Sequence, residues 1–313
     1  MFYHVKDLQF NARVSAPNPR FATLLLEQFG GPNGELKACM QYFIQAFAAR
    51  KPYPDKYDLL MDIATEEISH LEIVGATIQM LLNGITGELK EVEEKSQIME
   101  LLGKQDKMDD LIHTALINPQ FLVLSGGGPR LTDSQGVPWQ GSYVNANSDL
   151  TVDLRSNIAA ESRAKIVYEN LMQFTDDPLL KETLGFLMTR EIAHMEMFEA
   201  ALANIQPNMP PAIRQGDPRF TNLYFNLSNG KKSYRGPWNE GLSINLKEEW
   251  QYIDDPVKYV KETKGLTKTE IKGTDRTKDS NKKIEKKLSN TRSKEIKNAT
   301  NKVPMQWSES SYS

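Results

Sequence analysis

The sequence predicts an all-α fold, a four-helix bundle of two helical hairpins with a long crossover connection between them and an extended C-terminal region. Three observations carry that prediction. Four long stretches place apolar residues at helical spacing. Short polar or proline-containing turns join these stretches in pairs. Two of the four carry the same Glu-x-x-His pattern, at Glu67–His70 and Glu191–His194. Positions three apart share a helix face, so each pair aims a carboxylate and an imidazole at one spot.

The elements follow in order. Glu35 to Arg50 combines alanines and long side chains with no β-branched run, and it ends before Pro52. Asp55 to Leu82 repeats Leu59, Ile63, Ile73, Val74 and Ile78 at helical spacing and stops at Asn83-Gly84. Leu150 to Phe174 and Pro178 to Ile205 form the second hairpin. Thr175-Asp176-Asp177 between them supplies an N-cap, and Pro178 suits a first helical turn. The connection from about Gly84 to Asp149 contains a shorter helical piece, Met108 to Ile117, and the glycine run Gly126-Gly127-Gly128. A connection of that length in a compact domain is more often functional or interfacial than idle. The glycine run has no preceding strand and no following Lys-Ser/Thr, which argues against a phosphate cradle.

Composition narrows the class. With 39% hydrophobic and 25% charged residues the chain reads as globular, and no apolar run is long enough for a membrane span. The single cysteine, Cys39, rules out an internal disulfide framework and any cysteine-rich metal site. No basic, then apolar, leader opens the sequence, so the expected location is cytoplasmic. Residues 256–313 carry a net charge of +8 and residues 1–255 a net of −11. We therefore expect one domain over 1–255 and a basic tail over 256–313, disordered or loosely helical from about Gly265. The acidic body and a tail without interleaved aromatics argue against a nucleic-acid binder.

Direction on each helix decides the chemistry. Ile63, Glu67, His70, Val74 and Ile78 form one stripe, and Leu184, Leu187, Glu191, His194 and Phe198 another. Both stripes are otherwise apolar, so their charges face a core, where lone carboxylates are costly unless paired. In dinuclear carboxylate bundles, two helices give a Glu each and two give a Glu-x-x-His each. Glu35 and Glu161 complete that set, lying 32 residues before Glu67 and 30 before Glu191. The six residues predict a two-metal site of four carboxylates and two imidazoles, suited to manganese or iron. Glu66 is expected to point away and be solvated. His113, three residues after Asp110, lacks a matching partner set.

At these residues the chain resembles the manganese catalases, a family of ferritin-like dinuclear enzymes. The similarity spans about residues 1–255 and rests on Gly34-Glu35, Thr65-Glu66-Glu67-Ile68-Ser69-His70, Trp139-Gln140-Gly141-Ser142-Tyr143-Val144, Ala160-Glu161-Ser162 and Arg190-Glu191-Ile192-Ala193-His194. The resemblance implies hydrogen peroxide disproportionation at two manganese ions per subunit. Glu35 and His70 would bind one ion, Glu161 and His194 the other, with Glu67 between them. Glu191 would accept protons beside the metals, and Tyr42 would orient Glu35. Some relatives place an arginine where this chain has Ala160. The resemblance further implies a homo-hexamer and, in some members, a structural calcium, for which Asp58, Asp62, Asn226, Ser228 and Gly230 are the candidates. The alternatives are a di-iron ferritin-like oxidase or storage protein, and an assembly component of spore-coat type with a vestigial site.

Overall fold

The structure is a computed structural model and describes residues 3–83, 128–205, 216–217, 219–228, 234–243 and 247–264. The helix expected at Met108–Ile117, His113, Gly126, Gly127, Gly230 and the tail beyond Lys264 lie outside the described residues. The chain divides into two compact units, Met1–Ile205 and Gln206–Ser313.

In the first unit, α1 (Pro19–Gly30), α2 (Glu35–Ala49), α3 (Pro54–Leu81), α4 (Leu150–Met172) and α5 (Pro178–Ile205) follow one another. α2 packs on α3 and α4 on α5, and α2 also meets α4. These are the two predicted hairpins. α1 lies against α3, α2 and α4 and was not among the predicted helices. It starts where Asn18 accepts from the Phe21 amide at 3.0 Å, with Pro19 next, the residue chemistry of an N-terminus. At α5, Asp177 Oδ1 accepts from the amides of Leu179 (3.0 Å) and Leu180 (3.3 Å), so the expected cap forms. Asp149 does the same for α4, accepting from Thr151 and Val152.

The described end of the crossover is stitched to the bundle. Glu27 of α1 accepts from the Ser134 amide and hydroxyl, the latter at 2.7 Å. Gln41 accepts from the Asn145 amide at 3.1 Å, and Gln45 donates to the Asn145 carbonyl at 2.7 Å. Asn157 of α4 joins both glutamines inside the core. These bonds satisfy polar groups that burial would otherwise leave costly.

The apolar core is in two parts. One gathers Phe21, Leu25, Ile73, Val74, Leu184 and Leu187; the other gathers Ala38, Tyr42, Leu60, Ile63, Leu154 and Phe198. On α3 the chain passes from the second cluster to the first between Ala64 and Ile73, and on α5 between Leu187 and Phe198. Glu67, His70, Glu191 and His194 occupy those gaps. The site therefore sits between two apolar plugs that keep water out.

Among its described residues the second unit contains two short strands and a short helix. Two three-residue strands, β1 (Leu223–Phe225) and β2 (Gln251–Ile253), pair in parallel with Tyr224 opposite Tyr252. Those two rings stack at 5.4 Å, and the Arg235 guanidinium lies 3.2 Å above Tyr252. A short helix, α6 (Pro256–Thr263), follows, capped by Asp255 accepting from the Lys258 amide at 2.9 Å.

Candidate metal centre

Four helices each deliver a side chain to the same buried spot. Glu35 opens α2, Glu67 and His70 lie mid-way along α3, Glu161 on α4, and Glu191 and His194 on α5. All six are buried, at 1% exposure or less. The ligand atoms of Glu67, His70, Glu191 and His194 lie within 4.8 Å of one another. Glu35 and Glu161 flank them, with Oε2 of Glu35 3.7 Å from His70 Nδ1 and Oε2 of Glu161 3.9 Å from His194 Nδ1. The predicted convergence is present in full.

Glu67 stands between the imidazoles. Its Oε2 is 3.0 Å from His70 Nδ1, and its Oε1 is 2.9 Å from His194 Nδ1. The two rings stack with centroids 5.5 Å apart, so one carboxylate divides its two oxygens between two parallel imidazoles. Glu191 Oε1 lies 3.7 Å from His70 Nδ1, and neither Glu191 oxygen has a hydrogen-bond partner.

Two assignments need correction. Glu66 does not stand apart in solvent. Its Oε2 is 3.0 Å from His194 Nε2 and its Oε1 3.5 Å from His70 Nε2. Arg190 donates to it through Nε at 2.7 Å, and Gln9 donates at 2.8 Å. Thus Glu67 takes the inner nitrogen of each histidine, and Glu66 takes the outer nitrogen of His194, while the outer nitrogen of His70 has no hydrogen-bond partner. A carboxylate behind a ligating histidine fixes its tautomer and its orientation. Tyr42 is buried near the site as expected, but its hydroxyl donates to Glu161, not Glu35. Glu35 receives instead the Tyr168 hydroxyl, a residue the sequence reading did not single out. The signal was available, because Tyr168 follows Glu161 by the same seven residues that separate Tyr42 from Glu35. Each tyrosine reaches across to the other hairpin's carboxylate.

Burial and mutual charge shift the titrating groups of the cluster. Burial, then the charge of Glu67, pushes Glu35 up to about 8, and the same two causes push Glu161 to about 7. Glu191 rises further, through burial and the charges of Glu35, Glu67 and Glu161. Burial works against a charged Glu67, yet hydrogen bonds from His194 and His70 prevail and hold it below the usual carboxylate range. For His194, burial is outweighed by Glu66 and Glu67, which raise it to about 10. His70 is raised well above its usual value, where Glu35, Glu66 and Glu67 overcome burial.

A metal pair fits this donor set on its geometry. Tyr168 and Tyr42 satisfy one oxygen each of Glu35 and Glu161, while Oε2 of both and both oxygens of Glu191 are buried without a hydrogen-bond partner. Four orphaned carboxylate oxygens at one spot are costly to bury and are what a cation coordinates. Oxygen with imidazole nitrogen suits manganese or iron. The calcium candidates are apart in the chain's organisation: Asp58 and Asp62 are exposed on α3 of the first unit, while Asn226 and Ser228 follow β1 in the second.

Comparison with known proteins identifies the family. The family model for manganese-containing catalases matches residues 1–292. A probable manganese catalase of Clostridium acetobutylicum is 38% identical over 239 residues, covering 76% of this chain and 95% of that protein. The uncharacterized protein YjqC of Bacillus subtilis is 32% identical over 270 residues, covering 83% and 92%. Among solved structures, the crystal structure of KatB, a manganese catalase from Anabaena, aligns with a TM-score of 0.64 at 36% identity, over 82% of this chain and 100% of that one. With a family match over most of its length and relatives this similar, the chain belongs to the manganese-containing catalase family.

Proposed function

We propose that the protein disproportionates hydrogen peroxide to water and dioxygen at a pair of manganese ions. The observation that carries this is the convergence of six buried side chains with Glu67 shared between two imidazoles. Glu35 and His70 would hold one ion, Glu161 and His194 the other, and Glu67 would reach both. Bound manganese would supply the reversible two-electron change, one peroxide being reduced to water and a second oxidised to dioxygen.

The chain's own groups do the rest. Peroxide must shed protons on entering and regain them on leaving as water. Glu191 is the group placed for that transfer, a buried carboxyl with both oxygens free beside His70. Glu66 holds the outer nitrogen of His194, and Tyr42 and Tyr168 pin one oxygen each of Glu161 and Glu35. The apolar plugs exclude water, which keeps these hydrogen bonds strong.

Finer features of the reading rest on the resemblance. A homo-hexamer is consistent with exposed apolar residues on the bundle's outer faces, among them Ile44, Phe47, Ile166 and Phe174. A cytoplasmic location and a structural calcium are part of the same proposal.

The test is metal quantitation beside oxygen release from peroxide, with purified protein loaded with manganese or with iron. The expected result is two metals per chain and oxygen evolution from the manganese form. Glu191→Gln should keep both metals and lose about 10²–10⁴-fold in turnover. Oxygen evolution by the iron form alone would favour the di-iron alternative, and full activity in Glu191→Gln would remove the role given to Glu191.

A further inference from the structure

Residues 4–15 form neither helix nor strand, yet their pattern is regular. Leu8, Phe10, Ala12 and Val14 alternate with Gln9, Asn11, Arg13 and Ser15, which gives an extended chain one apolar and one polar side. The apolar side packs on the first core cluster. The polar side reaches carboxylates of the bundle. Gln9 donates to Glu66 at 2.8 Å, Arg13 to Glu182 at 2.6 Å, and Ser15 to Asp177 through its amide and its hydroxyl, both at 2.6 Å. His4 adds a contact with Glu72 at 2.8 Å. The segment is a strap, fastened to α3 at one end and to the first half of α5 and its cap at the other.

Where the strap passes from α3 to α5, two consecutive residues touch the groups behind the two metal-site imidazoles. Gln9 Nε2 and Arg190 Nε, the latter at 2.7 Å, both donate to Oε1 of Glu66. With Oε1 held in this way, Oε2 faces His194 Nε2 at 3.0 Å. Phe10 stacks on Phe186, with centroids 4.6 Å apart and planes at 15°, and Phe186 meets the His70 ring edge-on at 6.3 Å. The two paths cross. Gln9 reaches His194 of α5 through a residue of α3, and Phe10 reaches His70 of α3 through a residue of α5. Stability alone does not call for this placement, because Arg13 and Ser15 fasten the strap on residues far along α5 from His194.

We propose that Gln9 and Phe10 are positioning residues of the metal pair, Gln9 acting through Glu66 on His194 and Phe10 through Phe186 on His70. This rests on the dimetal reading. The outer partners of a ligating histidine fix its orientation and so tune the metal it holds. Here two adjacent residues from outside the four bundle helices support the histidine of each ion. The hydrogen bond sets the direction of Glu66, and the stacked rings form the wall against which the His70 ring rests. Neither residue touches metal or peroxide, so their effect is on ligand geometry.

The experiment compares wild type, Gln9→Met, Phe10→Leu and Phe10→Tyr with two strap controls, Arg13→Gln and Ser15→Ala, all as full chains. Urea unfolding gives the stability of each, and competition with a chelator gives its manganese affinity. Visible absorption of the loaded, oxidised protein reports the ligand geometry. Gln9→Met and Phe10→Leu are expected to lower manganese affinity by about tenfold, the lower end of the loss on removing a ligand's outer partner, and to shift the absorption band. Phe10→Tyr keeps the stacked ring and should retain both properties. Arg13→Gln and Ser15→Ala should loosen the strap and lower stability while affinity and band stay as in wild type. Gln9 is exposed, so Gln9→Met gives the answer even where Phe10→Leu does not fold. Affinity and absorption unchanged in Gln9→Met and Phe10→Leu, or altered as much by Ser15→Ala, overturn the inference and leave the catalase reading intact. Wild type that binds no manganese overturns the dimetal reading itself.

Discussion

Glu66 and Glu67 are neighbours in the chain and serve opposite sides of the same two imidazoles. For His194, whose two ring nitrogens each meet a carboxylate, these contacts fix which nitrogen is offered inward. Removing the charge of Glu66 should leave the ligands in place but loosen their aim. Glu66→Gln is expected to weaken manganese affinity by about 10–100-fold, measured by competition with a chelator; unchanged affinity would show that the outer contacts are idle. The inner residues were legible because a three-residue spacing on a helix admits one direction only. Glu66 was not, because its neighbour claims the inward face, and only the second nitrogen of His194 draws it in. The resemblance pointed to Tyr42, but its partner was misassigned, since position along α2 cannot say which carboxylate lies across the bundle.

Helices α2 to α5 were each predicted to within a few residues, because apolar periodicity, prolines and caps agree at both ends of each. α1 carries the same kind of signal in Asn18, Pro19 and the apolar Phe21, Ala22, Leu25 and Leu26, and it was overlooked beside the four bundle helices. The short strands of the second unit have no such pattern, since three residues are too few to show alternation. At the scale of the element the sharpest constraint is the start of α2. A Cβ on Gly34 would lie 2.6 Å from the Gln28 carbonyl oxygen and 2.8 Å from that of Glu27. The backbone must shift to admit it, and Glu35 is the next residue. Gly34→Ala is expected to cost about 1–3 kcal/mol in urea unfolding and to lower metal content. A variant as stable and as fully loaded as wild type would show that the close approach is not needed.

Across the whole molecule the site couples stability to pH. Glu35 and Glu161 hold protons up to about 8 and 7 in the folded, metal-free protein but only to 4.5 when unfolded. His194 holds its proton to about 10, against 6.5 unfolded. Between these values the native state binds more protons than the unfolded one, so stability falls as pH rises. Glu67 acts oppositely, its depressed value adding stability that is lost only in acid. The metal-free protein should therefore melt at a lower temperature at pH 9 than at pH 6. Metal competes with protons for the same groups, so the loaded protein should lose less over that range. A melting temperature that climbs with pH in the metal-free form would contradict these assignments. The acidic body and basic tail were legible as a charge asymmetry, and the tail beyond Lys264 lies outside the described residues.

The central claim is that six side chains from four helices hold two cations with Glu67 between them. Anomalous diffraction at the manganese edge from crystals of the loaded protein tests it most directly. The account predicts two peaks per chain, one beside Glu35 and His70, the other beside Glu161 and His194. A single peak, or peaks away from Glu67, would contradict it.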